Sequence, residues 1–338
     1  SYFRNIIPEG SKLSPFAVLP FSMEVCSKYN MDLDTPHMDV IKRVNSKIYS
    51  TKLKDTLGIK NISKITSNCD ELYEVGLEML KLGSILIKDN FGVSGKGNIL
   101  VTSQTMLERI IGYLRMQEKQ GTRTEFILEP LLKKALDFSC QLYIDKEGKI
   151  KVLAVQKLLN NNFAYLGSFT ADKEFLDHIE AKGYFRIINE VGEALYKDGY
   201  YGDVCIDSMV LQDGDIIPLV EINARKSMSL IKHNLGRHLS KLGIKGNMTY
   251  ISIAGSKRMG FEEIIEKMQK SNLLFSTRCT SGILPLSANS MFINSYYNEK
   301  NYRGRLYFSI ITDNEKETDI FIRKMKELLA LLSFRILN

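Results

Sequence analysis

Hydrophobic and polar positions follow two periods along the chain, and together they predict a mixture of helices and strands. Apolar residues recur every three or four positions over residues 105–117, which predicts a helix with one buried face. Similar spacing or a capped start predicts helices at residues 50–57, 69–82, 172–182, 187–198 and 315–332. Alternation or short apolar runs predict strands at residues 16–19, 84–88, 98–102, 125–128, 138–145, 149–158, 203–211, 216–222 and 306–312. Helices interspersed with antiparallel hairpins indicate an α+β fold.

A glycine-rich loop at residues 92–97 follows a strand that ends in Lys88. A loop without Cβ atoms can bring backbone N–H groups onto phosphate oxygens. P-loop and dinucleotide motifs require a helix to start on the glycines, whereas residues 98–102 continue as a strand, so both are disfavoured. A protein kinase has the loop before the strand lysine, which is the reverse order. We therefore interpret the loop as a flap in which Lys88 and Lys96 supply charge for phosphate, with an ordinary hairpin and two solvated lysines as the alternative.

A second hairpin, with its turn at residues 213–215, carries two acids inside apolar strands. Counting back from the turn pairs Asp207 with Glu221, with about 5 Å between their Cβ atoms. Asn223 and Arg225 follow at alternate positions and therefore share that face. Opposed like charges need a cation or a proton between them, and oxygen ligands without His or Cys suit Mg²⁺. Arg225 would hold an anion beside the metal, while a solvated hairpin face with scattered charges is the alternative.

The order of these segments resembles the ATP-grasp superfamily. The resemblance implies an α+β fold in which two subdomains grip ATP, with two Mg²⁺ ions at the nucleotide phosphates. It assigns phosphate contacts to Lys47, which follows residues 44–46, to Lys88, and to the flap residues Gly92, Ser94, Gly95, Lys96 and Gly97. The adenine linker corresponds to Glu129, Leu131 and Leu132, the acidic ribose ligand to Asp137, and the metal ligands to Asp207, Glu221 and Asn223.

Two departures from the superfamily pattern affect the site and the domain organisation. Where some amino-acid ligases carry an arginine, this chain has Cys205, so the acyl phosphate would be contacted by Arg225 or Lys157. Residues 19–37 resemble only the last part of the usual N-terminal domain, and are similar to the segment before the ATP-grasp region in pheganomycin-type peptide ligases and the glutamyl–carrier-protein ligase of butirosin biosynthesis. We expect a short or truncated pre-ATP-grasp segment at 1–44, a helical lead-in at 45–83, a lid with the flap at 84–132, and a subdomain with the metal site at 133–338.

Composition narrows the possible classes of protein. An apolar fraction of 44% with 25% charged residues excludes a disordered or fibrous chain. The net charge of +7 lies wholly in residues 231–338, which carry 17 basic and 9 acidic residues. Neither a signal peptide nor an apolar stretch suited to a membrane is visible, and five scattered cysteines without a C-x-x-C pair indicate reduced thiols. We therefore expect a cytoplasmic protein that does not bind a membrane.

The resemblance implies an ATP-dependent carboxylate–amine ligase that acts through an acylphosphate on an amino acid or small peptide. A ligase that loads an amino acid onto the thiol of an acidic acyl carrier protein is the first alternative, since a basic C-terminal third would suit such a partner. A phosphotransferase on the same scaffold is the second. A nucleic-acid binder has only the charge in its favour, so we expect none to bind. Substrate contacts are predicted at residues 227–229, His233 and residues 280–298, although each could be a packed loop.

Overall fold

We describe the fold from a computed structural model, which covers residues 6–91, 97–121, 125–161, 164–279, 281–298, 300–312 and 315–338. The helices are α1 (Ser22–Tyr29), α2 (Met38–Val44), α3 (Lys47–Thr56), α4 (Cys69–Leu80), α5 (Gln104–Lys119), α6 (Lys173–Ala181), α7 (Tyr184–Lys197), α8 (Met228–Ser240), α9 (Phe261–Lys270), α10 (Asn289–Tyr297) and α11 (Glu315–Leu331). The strands are β1 (Lys64–Thr66), β2 (Ile85–Asp89), β3 (Asn98–Val101), β4 (Phe126–Pro130), β5 (Lys134–Ile144), β6 (Ile150–Asn161), β7 (Ala164–Thr170), β8 (Gly202–Leu211), β9 (Ile216–Asn223), β10 (Gly246–Gly255), β11 (Gly282–Ser287), β12 (Tyr302–Ile311) and β13 (Arg335–Ile336). No described helix is long and apolar enough to cross a bilayer.

The elements predicted from periodicity are confirmed with one exception, and their ends agree within four residues. The strand predicted at residues 16–19 is wrong, because the backbone oxygen of Phe16 accepts a hydrogen bond from the N–H of Lys226 instead of pairing in a sheet. Between residues 224 and 301 the pattern predicted no elements, whereas the structure has α8, β10, α9, β11 and α10.

The chain divides into two compact units, the first taking in most residues up to 157 and 170–230, the second mainly 231–338. The subdomain boundaries expected at residues 44, 83 and 132 stay a prediction.

A four-stranded antiparallel sheet in the first unit has the order β1, β4, β2, β3. Its apolar residues form a core with helices α4 and α5. Asn68 caps α4 by accepting hydrogen bonds from two backbone N–H groups of the first turn. Gly76 allows close packing, because a Cβ there would lie 2.9 Å from a methyl group of Leu107. This small sheet positions Lys88 on β2 beside β4.

A second sheet in the first unit contains β6, β5, β8 and β9 in that order, and its two faces differ in character. Alternate residues such as Cys140, Ile206 and Ile222 belong to a core with residues of α6 and α7. The residues between them point to the opposite face, which is polar. That polar face carries Ser139, Gln141, Cys205, Asp207, Glu221 and Asn223.

The second unit is built on strands β11, β12, β10 and β7 in that order, with β13 paired to β10. Helices α9, α10 and α11 supply apolar residues to its core, among them Ile264, Met291 and Leu329. Helix α10 lies very close to β12, since a Cβ on Gly304 would come within 2.5 Å of the Cα of Met291. Residues 281–298, predicted to contact substrate or pack as a loop, therefore contribute a strand and a helix to this core.

Candidate functional site

The acid pair on strands β8 and β9 has the predicted register, with Asp207 opposite Glu221. Nearer the turn, however, Val210 pairs with Ile216, so the register there differs from the one extrapolated to the turn. An irregularity between Asp207 and Met209 absorbs the difference. Pro218 lies on β9 in this stretch and cannot donate to the ladder, and its carbonyl accepts the hydroxyl of Ser208 at 2.8 Å. The two carboxylates are therefore neighbours on the polar face.

Lys47 reaches this pair because the segment before α3 is fastened to the end of β9. The amide of Asn45 accepts from the N–H of Ala224 at 2.9 Å and donates to its carbonyl at 3.4 Å. Ser46 caps the helix, and its Oγ accepts from the N–H of Tyr49 at 3.3 Å. Lys47 then begins α3 and forms an ion pair with Glu221, Nζ to Oε1 3.2 Å. The side chain of Lys47 is only 8% exposed, so this pair is shielded from solvent.

Asn223 and Arg225 complete the cluster around the acids. The Nδ2 of Asn223 donates to Asp207 at 2.9 Å, and its Oδ1 accepts from Arg225 at 2.6 Å. The guanidinium of Arg225 lies 5.9 Å from the ring centroid of Phe16. The N-terminal segment therefore borders the site, and no local sequence pattern indicates this contact.

Asp207 has an unusual electrostatic environment. Burial, with the negative charge of Glu221 as a second cause, raises the pKa of Asp207 to about 7, although Arg225 opposes the shift. Cys205, which lies between Gln141 and Asn223 in the sheet, is buried, and burial raises the pKa of its thiol. It is therefore a neutral group at a position where an arginine could have supplied charge. In this cluster, positive charge comes from Lys47 and Arg225.

The oxygen ligands of the cluster match part of the coordination shell of a magnesium ion. No group of three His, Cys, Asp or Glu side chains capable of holding a metal occurs in the described ranges. Two carboxylates and one amide oxygen do not make a complete cage, but they match the way Mg²⁺ is usually held, by one or two carboxylates together with phosphates and water. The raised pKa of Asp207 also favours a cation at this point, because a cation between the two acids would relieve their repulsion. The residues fit magnesium that arrives with a nucleotide.

A second cluster of charges lies between α3 and the small sheet. Lys88 forms a buried ion pair with Glu129. Ser63 donates to the other oxygen of Glu129 at 2.6 Å and accepts from Lys54 at 2.8 Å. Burial alone would raise the pKa of Glu129, but the ammonium groups of Lys88 and Lys54 outweigh it and lower that pKa. Lys54 was not predicted as a site residue, and the cluster carries two lysines against one glutamate.

The base of the glycine flap is tied to the start of α3. Asn90 is buried, and its Oδ1 accepts from the hydroxyl of Ser46 at 2.8 Å and from the N–H of Ile48 at 3.1 Å. The N–H of Lys47 donates to the carbonyl of Asn90 at 3.1 Å. On the other side, the N–H of Asp89 donates to the carbonyl of Gly97, whose φ of 89° favours glycine. The predicted flap residues Gly92, Ser94, Gly95 and Lys96 lie outside the described residues.

The predicted adenine residues lie at the end of β4 and just after it, and the predicted ribose residue lies on β5. The N–H of Leu131 donates to the carbonyl of Ser84 at 2.8 Å, and Leu132 is half-buried. Asp137, on β5, forms an ion pair with Lys134. The backbone of β4 runs beside Lys88, because Ile127 on β4 is the residue that pairs with Lys88 across the sheet.

The other predicted site residues are more dispersed. Lys157 pairs with Asp172 and lies 4.9 Å from the ring centroid of Phe175, on the side of the sheet that faces α6. Ser227 precedes α8, accepts from the N–H of Leu230 at 3.0 Å and donates to Gln141. Ser229 and Ser139 are joined by a hydroxyl contact of 3.3 Å, and Met228 is half-buried. His233 belongs to the second unit, where burial and two neighbouring cations lower its pKa.

No protein-family profile matches this chain. The chain is 28% identical over 217 residues to the butirosin acyl-carrier protein–L-glutamate ligase of Niallia circulans, which covers 62% of this chain and 50% of that protein. The chain thus spans about half the length of the curated relative it matches. The expected resemblance to the butirosin ligase is confirmed.

Solved structures share the fold. An N5-carboxyaminoimidazole synthase from Aspergillus clavatus, in complex with ADP and 5-aminoimidazole ribonucleotide, matches 95% of this chain and 82% of its own, with a TM-score of 0.60 at 12% identity. The biotin carboxylase domain of a Hydrogenobacter thermophilus 2-oxoglutarate carboxylase, in complex with ADP, its magnesium salt and bicarbonate, matches 93% and 71%, with a TM-score of 0.57 at 15% identity. The α+β ATP-grasp fold expected from the sequence is confirmed.

Proposed function

We propose that this ATP-grasp chain is an ATP-dependent ligase that activates a carboxylate as an acylphosphate and joins it to an amine. The observation that carries the proposal is the cluster on the polar face of the sheet. Two opposed acids lie there with Asn223, one lysine and one arginine, and the pKa of Asp207 is raised to about 7. Two opposed acids destabilise a sheet by themselves, and a cation bound between them would offset that cost.

Asp207, Glu221 and Asn223 would hold Mg²⁺ with the nucleotide, and Lys47 and Lys88 would contact its phosphates. Mg²⁺ supplies electrostatic stabilisation of the charge that develops on the transferred phosphoryl group. In the structure Lys47 pairs with Glu221, and Lys88 pairs with Glu129. Binding therefore exchanges existing ion pairs for contacts with phosphate, and no buried cation has to be left unpaired.

The reaction has two steps. A carboxylate oxygen of the substrate attacks the γ-phosphorus, forming the acylphosphate and releasing ADP. The amine nitrogen then attacks the acyl carbon, forming the amide and releasing orthophosphate and a proton. Arg225 would hold the anionic phosphoryl group during both steps, because its guanidinium borders the acid pair. The flap at residues 92–97 would exclude water that could hydrolyse the acylphosphate.

A thiol acceptor is the second candidate. The similar protein from Niallia circulans is, by its name, a ligase of L-glutamate and an acyl-carrier protein. Residues 231–338 carry 17 basic and 9 acidic residues, a charge excess that suits an acidic carrier. In that case the sulfur of the carrier replaces the amine nitrogen, and the first step is unchanged.

The experiment that tests the proposal is a screen for ADP release over amino acids and small carboxylates, with and without amines, followed by mass spectrometry of products. Hydroxylamine should trap the acylphosphate as a hydroxamate in reactions with a carboxylate alone. Orthophosphate release that requires carboxylate and amine supports the amide ligase. A product attached to a carrier protein supports the thiol ligase, and a stable phosphorylated product contradicts both. Glu221→Gln should abolish substrate-dependent ADP release, and Asp213→Asn, in the exposed turn of the same hairpin, is its control.

A further inference from the structure

Gln156, on strand β6, is a buried amide that has no hydrogen-bond partner among the described residues. Its exposure is 1%, and neither its Oε1 nor its Nε2 finds a partner within the described ranges. Leaving a buried polar group unsatisfied costs free energy, so native proteins satisfy such groups with protein, water or ligand. The free amide therefore indicates a missing hydrogen-bonding group.

The neighbours of Gln156 identify the face of the sheet on which it lies. Val155 belongs to the apolar core, and Lys157 packs against Phe175 and pairs with Asp172 on that same side. Because successive side chains of a strand point to opposite faces, Gln156 points to the other one. That is the polar face with Asp207.

The position of Gln156 along the sheet can also be derived. The N–H of Asp145 donates to the carbonyl of Lys149, which fixes the turn between β5 and β6. Strict counting from that turn would place Gln156 opposite Phe138, but Phe138 and Val155 both belong to the apolar core, so β6 must contain one extra residue before Val155. With that residue Gln156 lies opposite Ser139, which lies opposite Asp207 on the next strand. Two strand spacings separate Gln156 from Asp207, which is about 10 Å. At this distance Gln156 would contact a part of the substrate that is remote from the carboxyl group being activated.

Four polar residues near this point are uncharged. The Nε2 of Gln141 donates to Ser139 at 3.0 Å, and its Oε1 accepts from Ser227. Ser229 contacts Ser139 at 3.3 Å. These residues satisfy one another, so Gln156 is the member of the set with both a donor and an acceptor left over.

We propose that Gln156 binds an amide group, either a carboxamide or a peptide group, of the carboxylate substrate. A carboxylate could only accept from Nε2, and an ammonium group could only donate to Oε1. An amide can do both and thus satisfies both atoms without introducing charge. This inference rests on the proposed function, because it names a class of substrate for the same site.

Gln156→Met tests the proposal, since methionine has a similar length but no hydrogen-bonding capacity. ADP formation would be measured with glutamine, asparagine and glycylglycine, each against its amide-free counterpart glutamate, aspartate or glycine. The wild type should prefer at least one amide-bearing carboxylate by about tenfold in kcat/KM, which is the discrimination expected of one or two hydrogen bonds. Gln156→Met should lower that ratio to about one through a higher KM, with the KM for ATP unchanged. Gln212→Met, an exposed glutamine in the turn between β8 and β9, is the control.

A second measurement separates this inference from the ligase reaction itself. In the presence of magnesium and ADP, the preferred amide-bearing compound should raise the Tm of the wild type and not that of Gln156→Met, whether or not turnover occurs. Without ligand, Gln156→Met should melt at or above the temperature of the wild type, because it removes an unsatisfied buried group. A wild type without preference for amides, or a variant that keeps the preference, overturns the proposal. A variant with a lower Tm and unchanged kinetics shows instead that Gln156 is satisfied by buried water.

Discussion

Replacing Asp207 with asparagine should make the metal-free protein more stable at pH 8 while abolishing ADP formation. Burial, with Glu221 as the second cause, raises the pKa of Asp207 from 3.8 to about 7. The folded state therefore holds a proton that the unfolded state loses at a lower pH, and the stability of the wild type falls as the pH rises from about 4 to about 7. A shift of about three units corresponds to at most about 4 kcal/mol. Because Asp207 keeps some exposure to screening solvent, we expect about 2 kcal/mol.

The assay is thermal unfolding of wild type and Asp207→Asn between pH 4 and pH 9, without metal or nucleotide. The asparagine can still accept the hydrogen bond from Asn223, so the local structure should survive. The difference in Tm should be near zero at about pH 4, grow to a few degrees by about pH 8, and then stay constant. Magnesium with ADP should stabilise the wild type but not the variant. Equal Tm values at pH 8, or a difference that shrinks as the pH rises, would refute this account of the acid pair.

Two further predictions concern parts of the structure outside the acid pair. Burial, as the largest cause, lowers the pKa of Lys54 to about 8, so this lysine costs stability below that pH and the cost disappears as the pH rises towards 10.5. Lys54→Met removes this cost but also loses the hydrogen bond to Ser63, so the net effect should be a stabilisation of about 1–2 kcal/mol at pH 7 and less at pH 10. Melting experiments in which the variant is less stable than the wild type at both pH values would contradict this. Gly304→Ala should destabilise the second unit by about 1–3 kcal/mol, because its Cβ would meet the backbone of Met291 at 2.5 Å. Gly112→Ala in α5, where a Cβ meets nothing within 4 Å, is the matched control and should stabilise its helix by up to about 1 kcal/mol. If Gly304→Ala and Gly112→Ala change the Tm alike, the steric explanation is wrong.

The register of the acid pair shows what periodicity can and cannot predict. Counting from the turn gave the right partner for Asp207 even though Val210 and Ile216 pair differently, because an irregularity in β9 compensates. Pro218 is the visible signal of such an irregularity, since proline inside a strand favours bulges and edge strands. Alternation alone fixes the face of a side chain and leaves the register open.

The contacts that complete the site join residues far apart in sequence. Asn45 holds the backbone of Ala224 across 179 residues, and this contact delivers Lys47 to Glu221. Ser63 and Glu129 are separated by 66 residues. No local pattern encodes such pairs, because they depend on how helices and sheets pack. The predicted residues Lys47, Lys88, Asp207, Glu221 and Asn223 each stand in a strand or at a helix start, and Arg225 follows the end of β9 by two residues, so local patterns were enough to single them out.

The second unit was the least predictable part of the fold. Helix α9 has a buried stripe with Ile264 and Met268 four residues apart, a signal that could have been read. Helix α10 is different, since it lies within an uncharged stretch and its two faces differ little in polarity. Its position depends on Gly304, whose missing Cβ matters only once β12 is beside it.

The assignment of Asp207, Glu221 and Asn223 to magnesium–nucleotide binding is tested by measuring the affinity for ATP with and without Mg²⁺. Glu221→Gln removes one charge and keeps the shape of the side chain. It also removes the ion pair with Lys47, so ATP affinity without metal is the necessary reference. Wild type and the Asp213→Asn control should bind ATP at least about tenfold more tightly with Mg²⁺, the effect of about 1.4 kcal/mol of metal coordination. In Glu221→Gln the affinities with and without Mg²⁺ should be nearly equal. If the variant retains the full magnesium dependence of the wild type, the acid pair does not hold the metal and the proposed mechanism is wrong.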